Sequence, residues 1–329
     1  MREEFCVVGC GPAGAAAALA LCRTGIRPVV YEKSAFPRHK VCGEFFSAEI
    51  LPALERIGMA GRFMDARPPR VTHGELHFAR SGRRFPLPET GFGLSRYTFD
   101  EMLCQAVMER AAEVRHERLL KPTGPAVWAA GRGAAGPRGR RPFGFKAHFA
   151  GPAGDAVELY FFPGGYCGTC PIENGLTNVC GLASEELLAA HQFRPDSMLR
   201  TAGRLAERLR PLERRTLWRF SGPLRYGPPP PPRDGMIAAG DAACFVDPFT
   251  GSGLLAAIET GVWAGETLLE TGRAAAHHLR CRRFQRRQLT ATTLIRRAVE
   301  LGWAEPLAGL IPSSVLYRLT RPAPCQFRS

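Results

Sequence analysis

Gly9-Cys10-Gly11-Pro12-Ala13-Gly14 is a G-x-G-x-x-G turn, with Pro12 and Ala13 inside it, set between the apolar run Phe5-Cys6-Val7-Val8 and the small residues Ala15 to Leu21. Glycine at these positions permits a tight bend, close backbone approach to a pyrophosphate, and close packing of the following helix on the strand. The helix amino terminus then offers free N–H groups and a positive dipole to the phosphates. Glu32, with Lys33 beside it, closes a second apolar run, Pro28-Val29-Val30-Tyr31. A carboxylate at that distance binds both ribose hydroxyls of a dinucleotide and argues against a 2′-phosphate.

A second stretch of the same kind lies far downstream. Met236-Ile237-Ala238-Ala239 reads as a strand, Gly240-Asp241 as its turn, and Asp247-Pro248-Phe249-Thr250-Gly251-Ser252-Gly253 as a Pro/Gly turn into a helix over 253–269. Asp241 there presents a carboxylate to a sugar-alcohol hydroxyl, the alternative being an N-cap before Ala242-Ala243. The helix amino terminus at Gly251, Ser252 and Gly253 favours negative charge on a ligand. Cys167-x-x-Cys170, followed by Cys180 and His191, is weighed as a zinc site, but one CxxC with irregular followers is weak, and no metal is assigned.

These residues need elements to position them. Strand, glycine turn, helix and second strand over 5–32 make a Rossmann-like βαβ unit. A helix is expected over 98–111, sheet over 67–94 and 143–183, including FKAHF and VELYFF, and helix again from Ser184 to Leu209. Five prolines, Pro228 to Pro232, form a stiff extended crossover. The expected fold class is α/β, Rossmann-like at its amino terminus.

FPRHKVCGEFFS (36–47), GLSRYTFDEMLCQA (93–106) and AAGDAACFVDPFTGSGLLAAIETG (238–261) resemble the flavoprotein superfamily of geranylgeranyl reductases, p-hydroxybenzoate-hydroxylase-type monooxygenases and flavin-dependent halogenases. The likeness touches about two thirds of the chain and implies FAD as cofactor, NAD(P)H as a transient co-substrate, and a division into a discontinuous dinucleotide-binding domain (1–66, 95–140 and 233–272), an inserted, mostly antiparallel substrate domain (67–94 and 141–232) and a basic helical region over 273–329. It implies that Arg38 reaches the FAD diphosphate, that Arg96 lies near the phosphate and ribityl portion with Asp100 capping or packing its helix, and that Pro248 belongs to the flavin turn. Cys42, in KVCGE, stands where the reductases carry a cysteine beside the flavin ring. Glu158-Leu159-Tyr160-Phe161-Phe162-Pro163 resembles the family's YxWxFP stretch, so Tyr160 and Phe162 are expected to line the substrate cavity, core packing being the alternative. Two departures stand out: Ala130 precedes Gly131 where an Asp-Gly or Thr-Gly is usual, and the chain is short between Leu120 and Val127.

The implied activity is hydroxylation or reduction of a small apolar substrate, polyketide- or isoprenoid-like. A non-catalytic flavin-fold protein with a degraded site is one alternative. A halogenase is another, disfavoured by the absence of a WxWxIP motif and by only four lysines.

Composition sets outer bounds. The 329 residues suffice for about two domains, and 45% hydrophobic with 22% charged residues excludes disorder and fibrous repeats. Eleven cysteines among small apolar residues read as buried thiols in a reducing cytoplasm. The formal charge of +14 is concentrated after residue 270, where eleven arginines face two carboxylates. Arg280, Arg282, Arg283, Arg286 and Arg287 read as a basic helix with an apolar side. It packs on the cofactor domain, lies on an anionic membrane, or receives an acidic carrier protein; nucleic acid is not expected.

Overall fold

A computed structural model describes residues 5–110, 113–122, 124–132, 142–224, 236–270, 274–300, 303–308, 312, 315, 317 and 321; the proline run Pro228 to Pro232 lies outside the described residues. One sheet is wholly parallel, in the order Met236–Ala238, Ala126–Trp128, Cys6–Val8, Val29–Tyr31 and Glu113–Arg115. Val7, Val30 and Val127 sit side by side in it without exposure, as expected of a parallel sheet covered on both faces.

The helix Pro12–Arg23 is built almost entirely from small residues and buries nearly all of its surface. Its partner is Gly253–Leu268. A Cβ on Gly261 would fall 2.2 Å from Ala13 O, so only alanine and glycine faces permit these two backbones to approach so closely. That contact brings the two glycine turns read from the sequence to one end of the parallel sheet.

The second sheet has nine strands. Its path runs Glu213–Arg214, Pro142–Ala150, Leu176–Ser184, Gly165–Ile172, Ala156–Phe162, Arg70–His77, Gly82–Gly93 and Phe45–Phe46, with Arg219–Ser221 also paired to Pro142–Ala150. All its pairings are antiparallel except Arg70–His77 with Ala156–Phe162. Phe45–Phe46 reaches this sheet from the amino-terminal segment, so the two sheets are stitched together just past Cys42.

Two expectations about helices change in detail. The helix expected over 98–111 is Arg96–Glu109, capped by the Ser95 hydroxyl, which accepts from Thr98 N–H. The stretch from Ser184 to Leu209 breaks into Glu185–Ala190, Pro195–Leu199 and Arg204–Leu209. Pro195 and Gly203, the latter at φ +49°, interrupt what composition reads as one helix. The basic region forms Ala274–Glu300 and Ala304–Ala308. The ten described cysteines are free thiols.

Candidate functional site

The first glycine turn is fitted to a phosphate group. A Cβ on Gly14 would fall 1.7 Å from Gly9 O, so glycine there seats the helix on the turn. Gly11 has no atom within 4 Å of its Cβ position and caps the helix Pro12–Arg23 with no side chain on the helix N–H groups. The cradle is therefore open on one side and lined with donors.

Glu32 is buried at the end of Val29–Tyr31 and accepts from Cys10 N–H at 3.0 Å and Ser34 N–H at 2.9 Å. Arg38 grips both its oxygens, at 2.9 and 3.1 Å, which differs from the expected reach of Arg38 to a diphosphate. Burial pushes the Glu32 carboxyl up, but Arg38 and the backbone donors override this and hold it below its usual value. It stays anionic, as binding of ribose hydroxyls requires. Lys33 is exposed beside it.

The second turn meets the first across the paired helices. Gly240, at φ +60°, donates its N–H to Thr260 Oγ1 at 2.9 Å, and a Cβ there would collide with Ala13. Asp241 projects into the adjoining cavity, 3.8 Å from Arg132, and is not an N-cap. Pro248 and Gly251 line the cavity, while Gly253 opens the helix Gly253–Leu268, whose amino terminus has no side-chain cap. Ser252 differs from expectation: it is buried, with its hydroxyl 2.9 Å from Thr250 and bonded by Gln288 of Ala274–Glu300.

The open cradle at Gly11, the anionic Glu32, the cavity-facing Asp241 and two uncapped helix amino termini fit a flavin dinucleotide. The unusual Ala130 and Gly131 leave this set intact, since Ala129 N–H still bonds Val8 O at 2.8 Å.

Asp247 holds the second turn. It is buried, accepts from Phe249 N–H and lies 3.1 Å from the Tyr166 hydroxyl, and burial pushes its carboxyl up to about 6 against an ordinary 3.8. A folded value above the unfolded one means that its stabilising contribution is complete below pH 3.8 and is lost as pH rises through about 6. Asp247→Asn is therefore expected to raise stability at pH 8 by about 1–3 kcal/mol and to change nothing at pH 3. Thermal melts at the two pH values read this directly.

The cavity has a volume of 1120 Å³ and lies between the nine-stranded sheet, the 241–251 segment and the helix Ala274–Glu300. Its cofactor-side wall carries Cys42, Asp241 and the turn at 248–251; its far wall carries Phe85, Leu87, Val157, Leu159 and Phe161. Tyr160 and Phe162, expected here, point the other way. Tyr160 donates its hydroxyl to Glu158 at 2.5 Å, stacks on His77 at 4.3 Å and packs with Phe145 and Phe149, and Phe162 joins the same core. Side chains alternate along a strand, so the cavity takes residues 157, 159 and 161 while 158, 160 and 162 face the other core. Burial pushes the Cys42 thiol up, which keeps its proton in place at neutral pH.

Arg96 also departs from expectation. Its guanidinium forms a two-point ion pair with Asp100, at 2.5 and 2.6 Å, rather than facing phosphate; Asp100, fully buried, packs its helix, and Ser95 caps it. Sequence reasoning missed the cluster behind Cys42. There Glu44, unexposed and at φ +57°, takes Lys146 Nζ, His148 Nε2 (2.8 Å) and Arg96 N–H (2.6 Å). Lys146 and His148 stand two apart in an apolar strand, a spacing that aims both at one buried face; that was the readable signal.

Cys167 packs beside Tyr160 and Phe145, whereas Cys170 packs on Phe45 and Val71. Among the described residues, Glu75, His77 and Glu158 converge within 4.8 Å as ligand-type groups, and Arg84 and Arg208 pair with their carboxylates.

Comparison with known proteins gives a consistent picture. Residues 2–124 match the FAD binding domain family. The chain is 27% identical over 317 residues to digeranylgeranylglycerophospholipid reductase 2 of Methanopyrus kandleri, covering 82% of this chain and 78% of the relative. It is 26% identical over 328 residues to a menaquinone reductase of Mycobacterium tuberculosis, covering 80% and 76%. Among solved structures, the flavin-dependent brominase Bmp2 aligns with TM-score 0.78 at 18% identity over 96% of this chain and 92% of that one. A geranylgeranyl bacteriochlorophyll reductase-like protein of Thermoplasma acidophilum aligns with TM-score 0.72 at 17% identity over 94% and 90%. At such identities the structural matches establish the fold.

Proposed function

We propose that this chain, whose residues 2–124 match the FAD binding domain family and which is similar over most of its length to a digeranylgeranylglycerophospholipid reductase, is an NAD(P)H-fed reductase of a carbon–carbon double bond in an apolar, isoprenoid-like substrate. The observation that carries this reading is the cavity, whose cofactor-side wall bears Asp241, Cys42 and the second glycine turn while its opposite wall carries Phe85, Leu87, Val157, Leu159 and Phe161. The reductase names of the two relatives support reduction over hydroxylation.

Bound FAD supplies hydride transfer; the chain supplies position, dryness and charge. The Gly9 to Gly14 turn and its helix amino terminus receive the pyrophosphate, Glu32 the ribose, and Asp241 a sugar-alcohol hydroxyl. The helix end at Gly251 to Gly253 stabilises negative charge near the cavity. Cys42 retains its proton on the cavity wall, in place to give it to a substrate carbon. Phe85, Leu87, Val157, Leu159 and Phe161 exclude water and hold the apolar chain.

NADPH with polyprenyl test substrates is expected to yield a product gaining two hydrogens, read by mass spectrometry; a product carrying an added oxygen atom would overturn the assignment. The wall is tested separately. Phe161→Ala is expected to raise the substrate KM about tenfold at unchanged flavin content, the loss of one aromatic contact of roughly 1–3 kcal/mol. Phe162→Ala is expected to lower the Tm while leaving KM in place. The reverse pattern would place the substrate on the other face of the strand.

A further inference from the structure

The helix Ala274–Glu300 has two unlike faces. Its inner face holds His277, Cys281, Phe284 and Gln288, with Phe284 edge-on to Trp263 at 5.0 Å and His277 Nε2 2.8 Å from Ala238 O. Its outer face exposes Arg282, Arg283, Arg286, Arg287 and Arg297 along about 23 Å of helix. Among the described residues none of these five is ion-paired with a carboxylate. Leu279 and Leu294 share that face at 48% and 61% exposure, and Trp303, just past the helix, is 63% exposed.

We propose that this face docks the protein on an anionic lipid bilayer, with the mouth of the cavity at headgroup level. Arg286, Arg287, Thr290 and Leu294 are exposed and also line the cavity, so the basic face runs directly into its opening. Arginines answer the negative surface of such a bilayer, while exposed leucine and an exposed tryptophan suit the headgroup boundary. A nucleic acid backbone or an acidic polypeptide would use the arginines and leave the leucines and Trp303 in water. No described helix is long and apolar enough to cross a membrane, so the contact is peripheral. Docking would give the substrate of the proposed reductase an entry route, and it rests on the helix face and not on the reaction.

The test uses the full-length, FAD-loaded protein and sedimentation with vesicles of phosphatidylcholine alone or mixed with phosphatidylglycerol, without substrate or NADPH. Binding is expected only to the phosphatidylglycerol vesicles, falling as salt rises, with a blue shift of tryptophan emission that Trp303→Phe removes. Arg282→Glu with Arg283→Glu, both outside the cavity wall, is expected to weaken binding by well over tenfold at unchanged flavin content, since each basic residue contributes roughly fivefold. Equal binding to both vesicle types, undiminished binding of the double variant, or tighter retention by DNA or polyglutamate than by the anionic vesicles would overturn the proposal. Because no turnover is involved, failure of docking and failure of the reductase reading are separate results.

Discussion

Gly11→Ala is expected to leave the fold intact and to strip the protein of FAD. Its backbone, at φ −72° and ψ −177°, is one that alanine adopts freely, and no atom lies within 4 Å of the new methyl group. The apoprotein Tm is therefore expected to stay within a few degrees or to rise, because alanine restricts the unfolded chain by roughly 0.4–1 kcal/mol. The methyl group occupies the open side of the cradle, where the pyrophosphate must approach, so FAD affinity is expected to fall on the order of a hundredfold, or about 2.7 kcal/mol. Gly14→Ala serves as the contrast. Its methyl group would fall 1.7 Å from Gly9 O, so the helix must separate from the turn, at about 3 kcal/mol or more, and stability and flavin are lost together. Flavin-to-protein ratio and apoprotein Tm, measured on both variants, separate the two roles; full flavin retention by Gly11→Ala would remove the pyrophosphate from this turn.

The second large effect is expected at Glu44. This carboxylate is the shared partner of two basic side chains that the fold buries, Lys146 and His148, and it also takes the Arg96 N–H. Burial alone would raise its carboxyl, but Lys146 and His148 outweigh that and hold it below the ordinary carboxylate range. With the folded value depressed, its contribution is present above the unfolded value near 4.5 and is lost as pH falls through the folded one. Glu44→Leu leaves Lys146 uncompensated in a dry site, a change expected to cost about 3–5 kcal/mol. Urea unfolding at pH 7 reads the loss. The acid side gives a second reading: stability of the parent protein is expected to drop steeply below about pH 4.5, and that of Glu44→Leu to drop less steeply.

The parts of the fold carried by local chemistry were readable. The glycine turns, Glu32 at its strand end and the small-residue helices depend on neighbours close in the chain or on backbone shape, and they stand where spacing puts them. Arg96 and Asp100 are four apart on one helix, so their ion pair had a local signal that the resemblance overrode. The facing of Ala156–Phe162 was not readable, because apolar or aromatic residues occupy both parities and the strand is packed on both sides. Nor were Glu44 with Lys146, 102 residues apart, or Gln288 on Ser252, 36 apart: these contacts follow from how the two sheets and the last long helix come together.

The central claim is that this chain passes reducing equivalents from NAD(P)H through FAD to an apolar alkene in the cavity against its nine-stranded sheet. Its most direct measurement is anaerobic: the flavin absorbance of the purified protein is bleached with one equivalent of NADPH, and a polyprenyl alkene is then added in the absence of oxygen. The predicted result is return of the flavin absorbance at a rate set by alkene concentration, with one saturated double bond per flavin reoxidised. Absorbance that stays bleached with every alkene and returns only with oxygen, alongside a hydroxylated product, would contradict the account.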